Sequence, residues 1–234
     1  AGSMWSTSFN LDRLALTSPF SPLDVSTFTE EELRAAVEAA ANWGTFVCTH
    51  AYTSEAVQRS IRAGVLCIEH GHLIDEATAR VMKSHGAYLV PTLATYVALA
   101  DEGEKLGWSA AMLDKLAMVR ARGIESLKIA RAEGVPVVFG TDLLGHMHAR
   151  QGIEFDLRLG AMSPVEVLQS ATIEAARLMR QLGQLGELVA GAWADLLVVD
   201  GDPTQELSML SDPQRGPLLV MQGGRVVFED YPRS

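Results

Sequence analysis

Four short runs of almost continuously apolar residues constrain the fold of this chain most strongly. They occupy residues 45–49, 65–69, 87–92 and 135–141. A strand with one solvent-exposed face alternates apolar and polar residues. A continuously apolar strand is covered on both faces, as in a parallel sheet. The runs therefore predict parallel strands buried beneath other elements.

Helix start signals lie between these runs. Thr29 and Glu32 form a capping box, Asp75 can cap a helix over residues 76–84, and Ser163-Pro164 with Glu166 opens another helix, ahead of one at 174–181. Each apolar run is preceded by a glycine that follows a predicted helix. Glycine suits this place because helices commonly end in a left-handed backbone conformation. The four residues are Gly44, Gly64, Gly86 and Gly134. Alternating helices and parallel strands indicate an α/β fold.

The strand count predicts a partial (β/α)8 TIM barrel with a small carboxyl-terminal β-sandwich appendage. A full barrel needs about 250 residues, and here four clear strands are joined by a candidate fifth around residues 11–16. From residue 183 onward, short strands at 196–199, 218–221 and 226–228 alternate with turn signals. We therefore expect three parts: a tag remnant with an amino-terminal segment at residues 1–27, a partial barrel at residues 28–182 and a β appendage at residues 183–234.

The charge and the cysteines narrow the classes of partner and compartment. A net charge of −10 repels phosphate backbones and anionic lipids, so nucleic acid is not expected as a partner. We find no apolar run of about 18 residues and no signal-peptide pattern, and we expect no membrane association. Cys48 and Cys67 each lie in an apolar run, as buried free thiols do, which favours the reducing cytoplasm.

Three polar residues stand near the carboxyl ends of predicted strands. They are His50, His70 and Asp142. In a barrel these ends meet at one mouth, where active sites are built. Two imidazoles and a carboxylate suit zinc or a similar divalent ion, which activates water and polarises a carbonyl. Taken singly, each residue is more often a structural polar group than a metal ligand.

Several motifs together resemble the prolidase-like branch of the amidohydrolase superfamily, which includes Xaa-Pro and Xaa-Arg dipeptidases and imidazolonepropionase-like enzymes. Their order and spacing match the carboxyl-terminal part of that family. The motifs are Thr49-His50-Ala51-Tyr52, Ile68-Glu69-His70-Gly71, Val90-Pro91-Thr92-Leu93 with Tyr96, Gly140-Thr141-Asp142-Leu143-Leu144-Gly145 and residues 191–200.

This resemblance implies a distorted barrel, of which this chain forms about strands 4–8. It also implies one or two metal ions that hydrolyse an amide or dipeptide bond. His50 and His70 would be metal ligands, and Asp142 a metal ligand that also acts as general base. For the substrate-binding residues two interpretations stay open. Tyr96 is near the substrate or is a half-buried strand-end tyrosine. His72 lies at the substrate rim or the surface, and His148 belongs to a site or to a solvated loop.

The departures from the family pattern are as informative as the matches. The family has a His-x-His pair on its first strand and a lysine on its fourth, but no histidine precedes His50 and no lysine precedes Lys83. We therefore expect a truncated hydrolase, inactive alone, that binds Zn²⁺ weakly or not at all. The alternatives are a catalytically silent binding remnant and one chain of a split hydrolase. An incomplete barrel leaves open sheet edges, which predicts a homodimer or higher homo-oligomer.

Overall fold

The computed structural model describes residues 7–10, 26–212 and 215–230. The chain forms two compact units, Ala1–Asp142 and Leu143–Ser234, which are taken in turn. Within the described residues, no helix is both long and apolar enough to cross a membrane.

The first unit contains a four-stranded parallel sheet, as the apolar runs predict. Its strands, in spatial order, are β1 (Thr7–Asn10), β2 (Val47–Thr53), β3 (Cys67–Leu73) and β4 (Tyr88–Val90). The candidate strand at residues 11–16 lies outside the described residues, and β1 precedes it. The α/β fold class is therefore confirmed, whereas the partial barrel and its strand count stay predictions.

Two of the predicted strands are displaced toward the carboxyl end. β2 and β3 begin two residues later than the apolar runs and continue through the polar residues that follow. The expectation that His50 and His70 come after their strands is therefore wrong, because both lie inside them. Apolarity marks the covered part of a strand, and it does not mark where the backbone ladder ends.

The fourth apolar run does not form a strand. Residues 135–141 make one isolated parallel bridge, between Val137 and Leu89, in which Leu89 N donates to Pro136 O and Val138 N donates to Leu89 O. Pro136 has no N–H to donate to a ladder. The run therefore lies beside β4 without extending the sheet.

Among the described residues of this unit, five helices accompany the sheet: α1 (Glu30–Asn42), α2 (Ser54–Arg62), α3 (Glu76–Ser84), α4 (Leu93–Glu102) and α5 (Ala110–Ala132). The Thr29 capping box and the Asp75 cap are confirmed. The four glycines predicted to end helices all have positive φ. One face of the sheet and its helices share a buried core that includes Leu33, Val47, Val57, Ile61, Ile68, Met82 and Leu89.

The second unit combines short helices with a small antiparallel sheet. The helices are α6 (Ile153–Arg158), α7 (Pro164–Ala171) and α8 (Ile173–Leu178), and the sheet contains β5 (Leu196–Val198), β6 (Leu219–Gln222) and β7 (Arg225–Glu229). The Ser163 capping box is confirmed. The three predicted strands are present, and the helix predicted at 174–181 ends earlier, at Leu178. A β-sandwich and the division of the chain at residue 182 stay predictions.

An ion pair lies fully buried in this second unit. Arg158 Nε donates to Glu154 Oε1 at 2.7 Å, and both side chains are 0% exposed. Arg158 Nη1 also donates to Ser170 Oγ at 3.2 Å. The helices α6 and α7 are thus joined through a charged group that is withdrawn from water.

The Asp75 cap gives a first testable prediction. Asp75 Oδ1 accepts from Thr78 N at 2.8 Å, and hydrogen bonds from Thr78 hold the pKa of Asp75 below its usual value. We expect Asp75→Ala to lower the unfolding free energy by about 1 kcal/mol near neutral pH. Because the folded pKa is lowered, this contribution is present above the unfolded pKa and is lost as pH falls through the folded one.

Urea unfolding of the wild type and of Asp75→Ala at about pH 7 and about pH 3.5 measures this change. Asp75→Asn is the matched control, since its amide oxygen can still cap the helix at either pH. An equal deficit of Asp75→Ala at both pH values would contradict a role for the carboxylate charge.

Candidate active site

Two histidine rings meet on neighbouring strands of the first unit. His50 Nδ1 lies 3.0 Å from His70 Nε2. Burial lowers the pKa of His50, and the charge of Asp142 acts in the opposite direction. Burial, followed by the neighbouring His50 and His72, lowers the pKa of His70 well below its ordinary value. Both rings are therefore held neutral near pH 7, the form that binds metals.

A departure from strand geometry brings these rings together. The register pairs His50 with Glu69 and Ala51 with His70, so regular alternation would direct the His70 ring to the opposite face. His70 instead has φ +76°. Gly71 follows with φ +60°, where a Cβ would lie 2.5 Å from Leu89 Cδ1. The chain turns sharply here, and the turn requires glycine at position 71.

Two side chains fix the orientation of His70. Its Nδ1 lies 2.8 Å from Thr92 Oγ1, and the Tyr52 ring stacks on it with centroids 4.9 Å apart and an interplanar angle of 9°. If the Thr92 hydroxyl accepts from Nδ1–H, the lone pair of His70 Nε2 faces His50. Thr92 itself has φ +46°. Neither Thr92 nor Tyr52 was assigned a role by the sequence, although both lie in the motifs that carry the family resemblance.

Tyr96 is more deeply buried than the interpretation as a half-buried tyrosine expected. Its side chain is 1% exposed, and its hydroxyl donates to Tyr52 Oη at 2.9 Å. Burial, together with Tyr52, raises the pKa of Tyr96 well above its ordinary value. The expected half-buried position is therefore wrong, and Tyr96 supports the ring that stacks on His70.

His72 is also buried, so the expected position at the surface or substrate rim is wrong. Its Nε2 lies 2.5 Å from Pro91 O, its Nδ1 lies 3.2 Å from Val119 O, and burial lowers its pKa to about 4. The close approach of α5 at Gly123 covers it, since a Cβ there would lie 3.2 Å from His72 Cε1. His148, in a 3-10 turn over Gly145–Arg150 of the second unit, is exposed as the loop interpretation expected.

Two carboxyl groups, those of Asp142 and Glu69, lie near His50. Asp142 is exposed, with φ +50°. Partial desolvation raises the pKa of Asp142, and His50 opposes that rise. Glu69, the register partner of His50, has its pKa raised to about 7, chiefly by burial. Glu69 lies in a motif that carries the family resemblance and had no predicted role, although an acidic residue inside an apolar run is itself a signal.

A separate group of ligand-type side chains lies beside the histidines. Within the described part of the chain, Cys48, Cys67 and Glu69 are the group of three whose potential ligand atoms all lie within 4.8 Å of one another. Both cysteines are free and buried, as expected. The three-residue zinc site of His50, His70 and Asp142 stays a prediction, in which the two histidines are in contact and Asp142 acts on His50 through its charge.

Comparison with known proteins places these residues in a family. The sequence profile of the amidohydrolase family matches residues 15–227 of this chain. This chain belongs to the amidohydrolase family. An uncharacterized protein from Mycobacterium tuberculosis is 32% identical over 202 residues, which are 84% of this chain and 52% of that relative.

Two solved structures resemble this amidohydrolase along most of its length. One is a prolidase in complex with N-methylphosphonate-L-proline, with 43% identity and a TM-score of 0.89 over 92% of this chain and 53% of the prolidase. The other is a Xaa-Pro dipeptidase with methionine bound in its active site, with 30% identity and a TM-score of 0.85 over 95% of this chain and 54% of the dipeptidase. The amidohydrolase chain thus spans about half the length of the relatives it matches.

The ring nitrogens of the histidine pair in this amidohydrolase are spaced to occupy two coordination positions of one metal ion. Two imidazole nitrogens bound to one tetrahedral zinc at about 2.0–2.1 Å are roughly 3.3 Å apart, close to the 3.0 Å between His50 Nδ1 and His70 Nε2. Thr92 supplies the hydrogen bond to the distal ring nitrogen that commonly orients a ligating histidine.

Proposed function

We propose that this amidohydrolase contributes its histidine pair and Asp142 to a metal-dependent hydrolase that cleaves the amide bond of a small, dipeptide-like substrate. The observation that carries this proposal is the 3.0 Å approach of His50 Nδ1 to His70 Nε2, made at the cost of a left-handed backbone at His70. The similarity to a prolidase and to a Xaa-Pro dipeptidase supports the substrate class.

His50 and His70 would hold the ion, and zinc suits a pair of imidazoles. When bound, such an ion polarises the amide carbonyl and lowers the pKa of water. Thr92 and Tyr52 keep the His70 ring in place, and burial keeps both rings unprotonated.

Asp142 would accept the proton of the attacking water at a carboxylate oxygen. Its raised pKa strengthens it as a base, because proton transfer is most effective when the pKa approaches the working pH. Its exposed position leaves it open to water. Substrate binding by Tyr96, His72 and His148 stays a prediction. For the two buried residues, Tyr96 and His72, we propose that this contribution passes through the rings they contact.

The architecture of the whole enzyme is part of the same proposal. We propose a partial barrel of about strands 4–8 and a carboxyl-terminal β-sandwich, completed by a segment that carries the family's His-x-His pair and lysine. That segment lies elsewhere in a longer polypeptide or on a separate chain of a split hydrolase. The predicted homodimer or higher homo-oligomer is a further proposal, supported by large apolar side chains on the surface, including Trp43 at 88% exposure and Leu188 at 82%.

Binding and turnover together test the proposal. With zinc in excess, we expect calorimetry to detect binding of N-methylphosphonate-L-proline, whose tetrahedral phosphorus resembles an attacked carbonyl, and His50→Ala to abolish it. The chain alone should not hydrolyse Xaa-Pro dipeptides measurably. Adding the unmatched segment of the prolidase should restore turnover, and Asp142→Asn should reduce the restored rate by about 100-fold or more.

His85→Ala is the matched control, because His85 is an exposed histidine at the end of α3. It should leave both signals unchanged. Absence of zinc-dependent binding, together with no turnover after the missing segment is added, would contradict the proposal and favour a silent remnant.

A further inference from the structure

We propose that Cys48, Cys67 and Glu69 form a second metal site, selective for zinc and other thiophilic divalent ions and distinct from the histidine pair. Their potential ligand atoms all lie within 4.8 Å of one another. The set contains two soft sulfur donors and one oxygen donor, a combination that zinc accepts and that magnesium or calcium does not favour.

The sheet itself assembles this group. Cys48 of β2 is the register partner of Cys67 of β3, and directly opposed residues of paired strands have neighbouring side chains. Glu69 follows Cys67 by two residues and therefore shares its face of the strand. All three ligands thus come from two hydrogen-bonded strands, so the site requires no loop to close.

The separation between one sulfur and one oxygen of this group agrees with tetrahedral coordination of a shared ion. Cys67 Sγ lies 3.4 Å from Glu69 Oε1. An ion with a metal–sulfur distance of about 2.3 Å and a metal–oxygen distance of about 2.1 Å would hold these atoms roughly 3.6 Å apart. Three protein ligands leave a fourth position for water.

The burial of the group fits a bound ion as well. Cys67 is fully buried and Cys48 is 8% exposed, whereas Glu69 is partly exposed. A partly buried carboxylate beside two buried thiols is poorly solvated when it is ionised, and a divalent ion bound by two thiolates and one carboxylate satisfies all three groups. On binding, the two thiol protons pass to the solvent and the metal–sulfur bonds take their place.

Cobalt titration of the reduced, metal-free full chain tests the site. We expect one Co²⁺ per chain to produce a near-ultraviolet sulfur-to-cobalt charge-transfer band, which histidine and carboxylate ligands do not give. Cys67→Ser should abolish the band. Glu69→Gln should weaken cobalt binding at least tenfold, while His50→Ala should leave the band in place. Stoichiometric zinc should slow the reaction of the two thiols with a disulfide reagent.

The experiment separates this site from the histidine pair of the proposed function. A band that persists in Cys67→Ser, or that is absent from the wild type while circular dichroism shows a folded chain, would overturn the second site. So would a Cys48–Cys67 disulfide in freshly isolated protein. Should Cys67→Ser fail to fold, Cys48→Ser supplies the same test. Loss of inhibitor binding in His50→Ala bears on the proposed function and leaves the cysteine site untouched.

Discussion

Replacing Arg158 by methionine is expected to lower the unfolding free energy of this protein by about 3–5 kcal/mol, the usual loss when one partner of a buried ion pair is removed. Glu154 and Arg158 are both 0% exposed and lie 2.7 Å apart. The substitution leaves the Glu154 carboxylate away from water and without this guanidinium. It also removes the donor to Ser170. Urea unfolding measured by circular dichroism reports the loss.

Two variants make this test specific. Glu206→Gln breaks an ion pair of the same unit, Arg215–Glu206, whose side chains are 40% and 57% exposed, and should leave the unfolding free energy close to that of the wild type. The double variant Glu154→Leu with Arg158→Met removes both charges and should recover most of the stability. A double variant no more stable than Arg158→Met would contradict the electrostatic explanation.

The second large effect is a loss of stability with rising pH that depends on Glu69. Burial raises its folded pKa to about 7, from an ordinary value of 4.5. Between these values the folded chain keeps a proton that the unfolded chain releases. Stability is therefore fully present below the unfolded pKa and is lost as pH rises through the folded one, by on the order of 3 kcal/mol in total.

Unfolding free energies of the metal-free protein, with a chelator present, at about pH 5 and about pH 8 check this result. Glu69→Gln has the same shape without the titrating proton, so its stability should change less over this range. A constant difference between the wild type and Glu69→Gln across the range would show that Glu69 titrates alike in both states.

Much of the first unit follows from local signals in the sequence. Continuous apolarity predicts β2, β3 and β4 because parallel strands are covered on both faces. Thr29 and Asp75 mark the first turns of α1 and α3, because capping is a property of a few neighbouring residues. The run at 135–141 does not form a strand, although it is apolar, because Pro136 lacks the backbone N–H that a strand needs to pair.

The arrangement within the site depends on information that no short segment contains. The grouping of Cys48 with Cys67 and Glu69 depends on the register of β2 against β3. The contact of His70 with His50 depends on one left-handed backbone angle. The burial of His72 depends on α5 passing close at Gly123, far along the chain. The histidines can therefore be identified from the sequence, whereas the pairing of strands and the packing of helices decide which neighbours they have.

The left-handed backbone angles have a consequence for laboratory selection. Among the described residues, four other than glycine have positive φ, and three of them are His70, Thr92 and Asp142. Such a conformation costs roughly 1–2 kcal/mol for a residue with a Cβ, and glycine avoids that cost. A library screened for heat resistance alone should therefore accumulate glycine or asparagine at position 142, because Asp142 is exposed and the loss of its side chain leaves no buried cavity. The resulting variants would be more stable and would have lost the carboxylate on which the proposed reaction depends.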